Sequence, residues 1–548
     1  MAFIVKKKIN GKDYYYLNEN KRVGDKVKTK TLAYLGKTKK DAEKKKIEIM
    51  KKIKGGEVER KVENKLKHEE ISIEGLANFC KRKGFVYQSA DIYGGFAGFW
   101  DFGHLGVELK NNLKQNWWDY FVRQREDVVG IDGSIITNPK VWKASGHEDS
   151  FSDVFVICKK CKKTDKVDKH EIGKVKCSFC DGEIDWENIK EIKQMFKTNV
   201  GGDSFAYLRP ETAQLIFTNF KYVQENARMK LPFGIAQIGK SFRNEIAPRD
   251  FLFRLREFEQ MEIEYFVDPF ESCLYKIGDT EIFIYSEEMQ KTKKDFVKMK
   301  FSEAHKKKII KADWHVYWLE QMFLWFVNLG ANPNNFRLRQ HINDEKSHYA
   351  VDTWDLEYNF PFGWKELQGI ANRSDFDLTQ HQKYSGKDMR ILNNKGEKII
   401  PSVVAEPSQG VERAFLVFMF DAYAKNEKGE IVLKLSPKLA PVKAAIFPIV
   451  KQPEFEKISE DVFNDLKKEF NVIYDSSGSI GRRYARNDEI GTPFCITIDG
   501  DSVKDKDVTI RDRDTTKQIR VKVSELKDVL RKLINGEIEF VDAGKFVK

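Results

Sequence analysis

Between Leu231 and Tyr265 a run of ionisable side chains falls among large apolar ones: Arg243, Glu245, Arg254, Arg256, Glu257, Glu259 and Glu262, with Phe258 among them. Guanidinium forks suit phosphate oxygens, and an aromatic ring can cover a flat base. The segment therefore reads as a nucleotide platform. The plainer alternative is a solvated sheet face, but ordering several arginines on a surface is costly unless they hold something. A second group with chemical meaning is Cys158-x-x-Cys161, fifteen residues, then Cys177-x-x-Cys180. Each pair sets two thiolates on a tight knuckle, and two knuckles close a tetrahedral site suited to zinc. With cysteine at all four places no ligand position stays open, so the expected metal is structural rather than catalytic. Lysines 159, 160, 162, 163 and 176 would offset the thiolate charge, and His170 between the knuckles reads as a surface residue. Cys80, Cys273 and Cys495 are isolated.

The elements that must position these groups are legible in outline. Ile235, Gln237 and Ile238 on one side and Met261, Ile263 and Tyr265 on the other, around a polar loop with Pro248, predict two antiparallel strands whose one face is paved with ions. Val107 to Phe121, apolar at 109, 113, 117, 118, 120 and 121, predicts a long amphipathic helix. Ala414 to Phe420 is a second, apolar helix candidate, and a helix N-terminus favours anions. Residues 270 to 335 read as helical, strongly basic over Lys291 to Lys311 and aromatic over Trp314 to Leu329, the aromatic stripe being core. From Leu435 onward strands (Pro437–Val450, Val472–Tyr474, Pro493–Ile498, Val508–Arg513) alternate with helices (Ile458–Phe470, Ile480–Ile490), an α/β unit with a mixed sheet.

The N-terminal piece stands apart. Phe3–Val5, Tyr14–Leu17 and Val27–Leu35 are strand candidates separated by Asn10-Gly11 and Gly24-Asp25, followed by a basic helix over Lys39–Lys54 and a linker. Residues 1 to 66 hold 21 Lys and Arg against 9 Asp and Glu, which accounts for the whole chain's formal charge of +12. Such a concentration suits a polyanion, most simply nucleic acid; a lysine-rich surface that only aids solubility is the alternative. With 548 residues, 41% of them hydrophobic, the chain is long enough for several domains with real cores. No apolar leader or run of about 18 apolar residues occurs, so a soluble, cytoplasmic protein without a membrane partner is expected.

Phe242-Arg243-x-Glu245 followed by Arg254-x-x-x-Phe258 resembles motif 2 of the class II aminoacyl-tRNA synthetases. Leu208-Arg-Pro-Glu-Thr-Ala-Gln214 and Glu406-Pro-Ser-Gln-Gly-Val-Glu-Arg413 resemble words of the homodimeric glycyl-tRNA synthetases. The resemblance runs from about residue 70 to 535. It implies an α+β multidomain fold: a class II antiparallel sheet catalytic core flanked by helices over 67–434, with a zinc-ribbon insertion at 151–190 and a helical insertion at 270–335. A C-terminal α/β anticodon-binding domain follows over 435–548, and a small basic N-terminal β-meander plus helix over 1–66 stands outside the family pattern as a possible nucleic-acid arm.

The same resemblance implies glycine, ATP with Mg2+, and glycine tRNA as partners, a structural Zn2+, and a homodimer formed through the 107–121 helix as motif 1. It assigns Arg243 to the α-phosphate and the amino-acid carboxylate, Glu245 to the adenine amino group, Arg254 to the γ-phosphate side and Phe258 to adenine stacking. Arg413 in Gly410-Val411-Glu412-Arg413 is assigned to the γ-phosphate opposite Phe258, and Glu366 with Leu367 to the strand that helps hold magnesium. Asn244, Phe253, Leu255, Arg256 and Glu257 complete the ATP set. For glycine it implies Glu211, Glu406 and Ser408, with Glu259 and Glu262 near the floor, Arg373 ordering the acids, and Phe258, Gln260, Met261, Pro407, Gln409 and Gly410 around them. Carboxylates pair the ammonium group and reject bulkier substrates by leaving a buried charge badly placed. Leu215, His104, Gln409 and Glu412 depart from the family pattern. Two rival readings are a synthetase-like RNA-binding protein without ligation, against which intact Arg243, Arg413, Glu211 and Glu406 argue, and a zinc-ribbon nucleic-acid binder, which leaves the arginine-rich hairpin unexplained.

Overall fold

The computed structural model describes residues 2–9, 12–23, 26–36, 45, 67–68, 71–167, 172–346 and 350–547. They group into two units, one of residues 1–68 with 424–430 and one of 69–423 with 431–548. In the first, β1 (Ala2–Ile9), β2 (Lys12–Val23) and β3 (Lys26–Gly36) form an antiparallel meander with Ile4 opposite Leu17 and Leu17 opposite Ala33. The three expected strands are present and longer than their apolar runs. The basic helix expected over 39–54 falls, apart from Lys45, outside the described residues, as does His170.

In the second unit the long helix α1 (His104–Trp118) buries Leu105, Leu109, Leu113 and Trp117, one side chain per turn, as the sequence spacing demands. After β4 (Val128–Ile131), the strands β5 (Ser152–Cys158), β6 (Thr164–Val167) and β7 (Ile184–Lys193) make a small antiparallel ribbon. Helix α2 (Ala213–Asn226) leads into β8 (Phe233–Phe242) and β9 (Glu257–Val267), the two strands predicted around the polar loop. Residues 243–256 between them are irregular, so Arg243, Glu245, Arg254 and Arg256 stand on a loop and not on a paved strand face.

Residues 270–335 are not purely helical. They contribute β10 (Glu281–Tyr285) and β11 (Val297–Lys300) as well as α3 (Asp313–Asn328). Lys298 and Lys300 lie in the stretch read as helical and strongly basic, yet cross-strand pairing with β10 overrides that composition. Helix α3 is apolar on every side because it is buried on every side, with Trp318, Phe323 and Phe326 almost wholly enclosed. The chain continues through β12 (Phe336–Gln340), β13 (Asp352–Phe360), β14 (Gly363–Asn372), α4 (Phe376–Ser385), β15 (Ser402–Gly410) and α5 (Val411–Ala422).

Among the described residues the largest sheet has nine strands in the order β11-β10-β12-β13-β14-β15-β9-β8-β4. Its interior is antiparallel, and only β8 with β4 and β10 with β12 pair in parallel. A separate core holds the C-terminal part. There β16 (Ala444–Pro448), α6 (Pro453–Leu466), β17 (Val472–Tyr474), α7 (Ile480–Ile490), β18 (Phe494–Ile498), β19 (Asp507–Asp512), β20 (Gln518–Lys522), α8 (Leu526–Asn535) and β21 (Lys545–Phe546) follow in sequence. The sheet runs β17-β16-β18-β19-β20-β21, parallel at β16 and antiparallel beyond β18. Ile446, Ile496, Ile510 and Leu530 meet in its core. Truncating such a residue to alanine costs about 2–5 kcal/mol.

Candidate active site

A cavity of about 360 Å³ opens over the middle of the nine-stranded sheet. Its lining follows from the period of two along the strands. On β9, Phe258, Gln260 and Glu262 face the cavity; on β15, Glu406, Ser408 and Gly410 do so; the loop between β8 and β9 adds Arg243, Glu245, Phe253, Arg254 and Leu255. From β14 come Glu366 and Leu367, and from the start of α5 Glu412 and Arg413.

At one end the groups are cationic and aromatic. The Arg243 guanidinium lies 5.4 Å from the Phe258 ring centre and 5.5 Å from that of Phe151, and its Nε donates to the Pro210 carbonyl at 3.0 Å. Arg413 donates from Nη1 to the Glu366 carbonyl at 2.9 Å, stands 3.2 Å from the Glu366 carboxylate and lies 4.5 Å over Phe253. The ring beneath Arg413 is thus Phe253. Arg254 reaches the Glu245 carboxylate only at 4.0 Å. One oxygen of Glu245 is buried with no hydrogen-bond partner, and an exocyclic amino group would supply the missing donor.

At the other end lie buried acids around one arginine. Arg373, wholly enclosed, donates from Nη1 to Glu406 at 2.6 Å and from Nε and Nη2 to the two oxygens of Asp377 at 2.7 and 2.8 Å. Thr212 donates to Glu262, Gln260 bridges Ser241 and Ser408, and His147 Nε2 stands 3.1 Å from Glu211. Burial works against ionising Glu211, but His147, Arg373 and Arg243 outweigh it and hold the carboxyl well below the usual range. Glu262 shifts the other way: burial and the neighbouring Glu211 raise it.

Several residues expected at the site lie elsewhere, for the same reason of strand parity. Glu259 faces away from the cavity and pairs with Lys110 at 2.7 Å and Lys114 at 3.2 Å; Glu257 pairs with Lys240; Met261 is wholly buried in the core. On β15, Pro407 and Gln409 turn to the opposite side from Glu406 and Ser408, and Val411 is core. Arg256 braces the loop instead, donating to the carbonyls of Glu245 and Ala97 at 2.8 and 3.1 Å, while the Asn244 N–H donates to Gln194. Arg373 orders the acids from behind without lining the cavity. Among the departures, Leu215 packs on Gly133, where an added Cβ would come within 2.7 Å of it. His104 occupies the first turn of α1, and Glu412 accepts from Lys110 at 2.7 Å and from the Glu259 N–H at 3.0 Å.

The sequence did not single out His147, His341 or Asp355. His341 Nε2 and Asp355 Oδ2 are 2.8 Å apart, and both residues line the cavity beside Glu366. Burial, with Glu366 adding, pushes the Asp355 carboxyl up to about 6. The acids at 352, 355 and 357 in Asp352-Thr-Trp-Asp-Leu-Glu357 were the one available signal, but the approach of Asp355 and Glu357 to Glu366 exists only through pairing of β13 with β14.

The four sulfurs of Cys158, Cys161, Cys177 and Cys180 lie within 4.8 Å of one another, two of the separations being 3.6 Å. A tetrahedron with metal–sulfur bonds of about 2.3 Å has edges of about 3.8 Å, so the four can hold zinc.

A solved structure of prolyl-tRNA synthetase from Cryptosporidium parvum, complexed with halofuginone and AMPPNP, has a TM-score of 0.52 to this chain at 16% identity, covering 84% of this chain and 75% of that one. Residues 443–533 match the family model described as an anticodon binding domain. An antiparallel sheet crossed by such a cavity, followed by this domain, is the fold of a class II aminoacyl-tRNA synthetase. The chain is also 45% identical over 504 residues to the glycine–tRNA ligase of Clostridium kluyveri, covering 85% of this chain and 99% of that protein. The glycine–tRNA ligases of Mycoplasma capricolum and Treponema denticola are 43% and 41% identical over 495 and 473 residues, covering 85% and 83% of this chain and 99% and 96% of theirs. The chain belongs to the glycine–tRNA ligase family.

Proposed function

We propose that the two ends of the cavity hold ATP and glycine. In the first reaction a glycine carboxylate oxygen bonds to the α-phosphorus, the bond from that phosphorus to the bridging oxygen breaks, and pyrophosphate leaves. In the second, the 3′ hydroxyl of the terminal adenosine of glycine tRNA attacks the glycyl carbonyl and AMP leaves. The observation that carries this reading is the polarity of one continuous cavity, with Arg243, Arg254 and Arg413 at one end and the buried carboxyls of Glu211, Glu262 and Glu406 at the other.

Arg243, at the cationic end yet near enough to act on the Glu211 carboxyl, meets the charge that grows on the α-phosphate, and preorganised guanidinium groups stabilise such charge with little reorganisation. Phe258 covers the base, Glu245 accepts from its amino group, and Arg413 with Arg254 receives the outer phosphates. Glu366, with Asp355 behind it, would hold magnesium, which supplies further neutralisation of phosphate charge. Glu211, Glu262 and Glu406 receive the ammonium group, and Arg373 fixes their spacing.

Around this centre the four cysteines hold a structural zinc that closes the 151–190 ribbon. Val107 on α1 is exposed, as are Ile92, Tyr93 and Phe96, the last three more than 70% exposed, and uncovered apolar side chains of this kind support a homodimer. The 435–548 part reads the anticodon, and the basic residues 1–66 add a nucleic-acid arm. No helix among the described residues is long and apolar enough to cross a membrane, and reduced zinc thiolates suit the cytoplasm.

Glycine-dependent exchange of pyrophosphate into ATP, with magnesium and without tRNA, tests the assignment. Exchange with glycine and none with alanine or serine is the expected result. Folded protein without exchange would favour an RNA-binding protein that no longer ligates.

A further inference from the structure

Behind the ammonium end of the cavity lies a fourth acid that the roles above do not use. Glu264 sits two residues beyond Glu262 on β9, wholly buried, and oxygens of Glu262, Glu264 and Glu406 lie within 4.8 Å of one another. Its neighbours are spoken for. Arg373 binds Asp377 through both oxygens and Glu406 through one, and Glu262 accepts from Thr212. Both oxygens of Glu264 lack any hydrogen-bond partner, and across the pair β8 offers it only Ile235. The charged groups facing it are Glu262 on its own strand, Glu406 from β15, Arg373 after β14, and Asp377 from α4, with His381 beyond Asp377 and Glu211 beyond Glu262. One guanidinium therefore confronts four acids, and the acid with no donor is the one deepest in the protein.

A buried carboxylate without donors protonates in preference to bearing its charge. Burial and then Glu406 drive Glu264 well above the ordinary carboxylate range, against the pull of Arg373. Resting on the reading of this pocket as the glycine site, we propose that Glu264 is a positioning residue: it carries the proton that the three-carboxyl cluster holds in the free enzyme, and the cluster gives that proton up to solvent as the ammonium group of glycine settles against Glu262 and Glu406. The O–H bond of the carboxylic acid breaks, the proton leaves through Glu406, which lines the cavity, and the substrate's positive charge replaces it. Glycine's own amino group is already protonated at neutral pH and contributes no proton.

The test is calorimetric titration of the full chain with glycine at neutral pH in two buffers of different ionisation enthalpy, for wild type and Glu264→Gln. Wild type should release up to one proton per glycine, and its glycine affinity should rise with pH by up to about tenfold per unit, as linkage requires. Glu264→Gln, which keeps a donor but no titrating proton, should release none and lose the pH dependence. Binding to wild type without proton release, or equal release by Glu264→Gln, overturns the role of Glu264 and leaves the pocket standing. A glycine KM unchanged by Glu406→Gln overturns the pocket itself and this inference with it. The wild-type titration needs no variant to fold.

Discussion

Arg373 and Glu406 are joined by a 2.6 Å hydrogen bond at the floor of the cavity, and the same guanidinium grips both oxygens of Asp377. The arginine touches no open space, yet it sets where Glu406 points. Removing it leaves two acids buried without their cation. Arg373→Met is expected to lose about 3–5 kcal/mol in a denaturant melt, the usual cost of breaking one side of a buried pair. In whatever fraction folds, the glycine KM should rise far more than the ATP KM, since only the carboxylate end is disturbed.

Asp355 gives the nucleotide end a pH dependence. Its carboxyl, raised to about 6 by burial and by Glu366, is charged above that value and neutral below it. Magnesium requires the charged form. The magnesium concentration giving half-maximal pyrophosphate exchange should therefore climb several-fold as pH falls from 7.5 to 5.5. In Asp355→Asn it should be high throughout. A requirement that does not move with pH in the wild type would remove Asp355 from the magnesium site.

The cysteine ribbon adjoins the active site at its neck. Phe151, just before β5, lies against Arg243, and the Gln194 carbonyl, just after β7, accepts from the Asn244 N–H. Cys177→Ser should abolish the bound zinc measured by atomic absorption, because three thiolates bind it much more weakly than four. We expect charging of tRNA to fall more than glycine activation. An equal fall in both would mean that the ribbon acts chiefly by bracing Arg243.

The basic N-terminal piece is predicted to act on tRNA alone. Deleting residues 1–56 should weaken tRNA binding and make its dependence on salt shallower, since each lost phosphate contact removes about 0.7–0.9 from the logarithmic slope. Pyrophosphate exchange should be unchanged. A salt slope identical to that of the full chain would assign these lysines to solubility.

What the sequence alone determined is whatever is carried by contiguous residues. The cysteine knuckles, the arginine and glutamate spacing of the loop between β8 and β9, the stripe of α1 and the glycine before α5 are local patterns, carried by residues close together in the chain. The α/β alternation after Leu435 was legible for the same reason. Tertiary structure decided what lies across strands. Both faces of the large sheet are covered, so the alternation of β9 and β15 did not say which parity meets the cavity; that is why Glu259, Met261, Pro407 and Gln409 turned away while Glu262 and Ser408 faced in. Asp355 and His341 entered the site only because β12 and β13 pair beside β14, and His147 only because it packs against Glu211. Glu264 is the clearest case: in the sequence it is one more acid in an alternating strand, and only burial beside Glu262 and Glu406 makes its charge costly enough to matter.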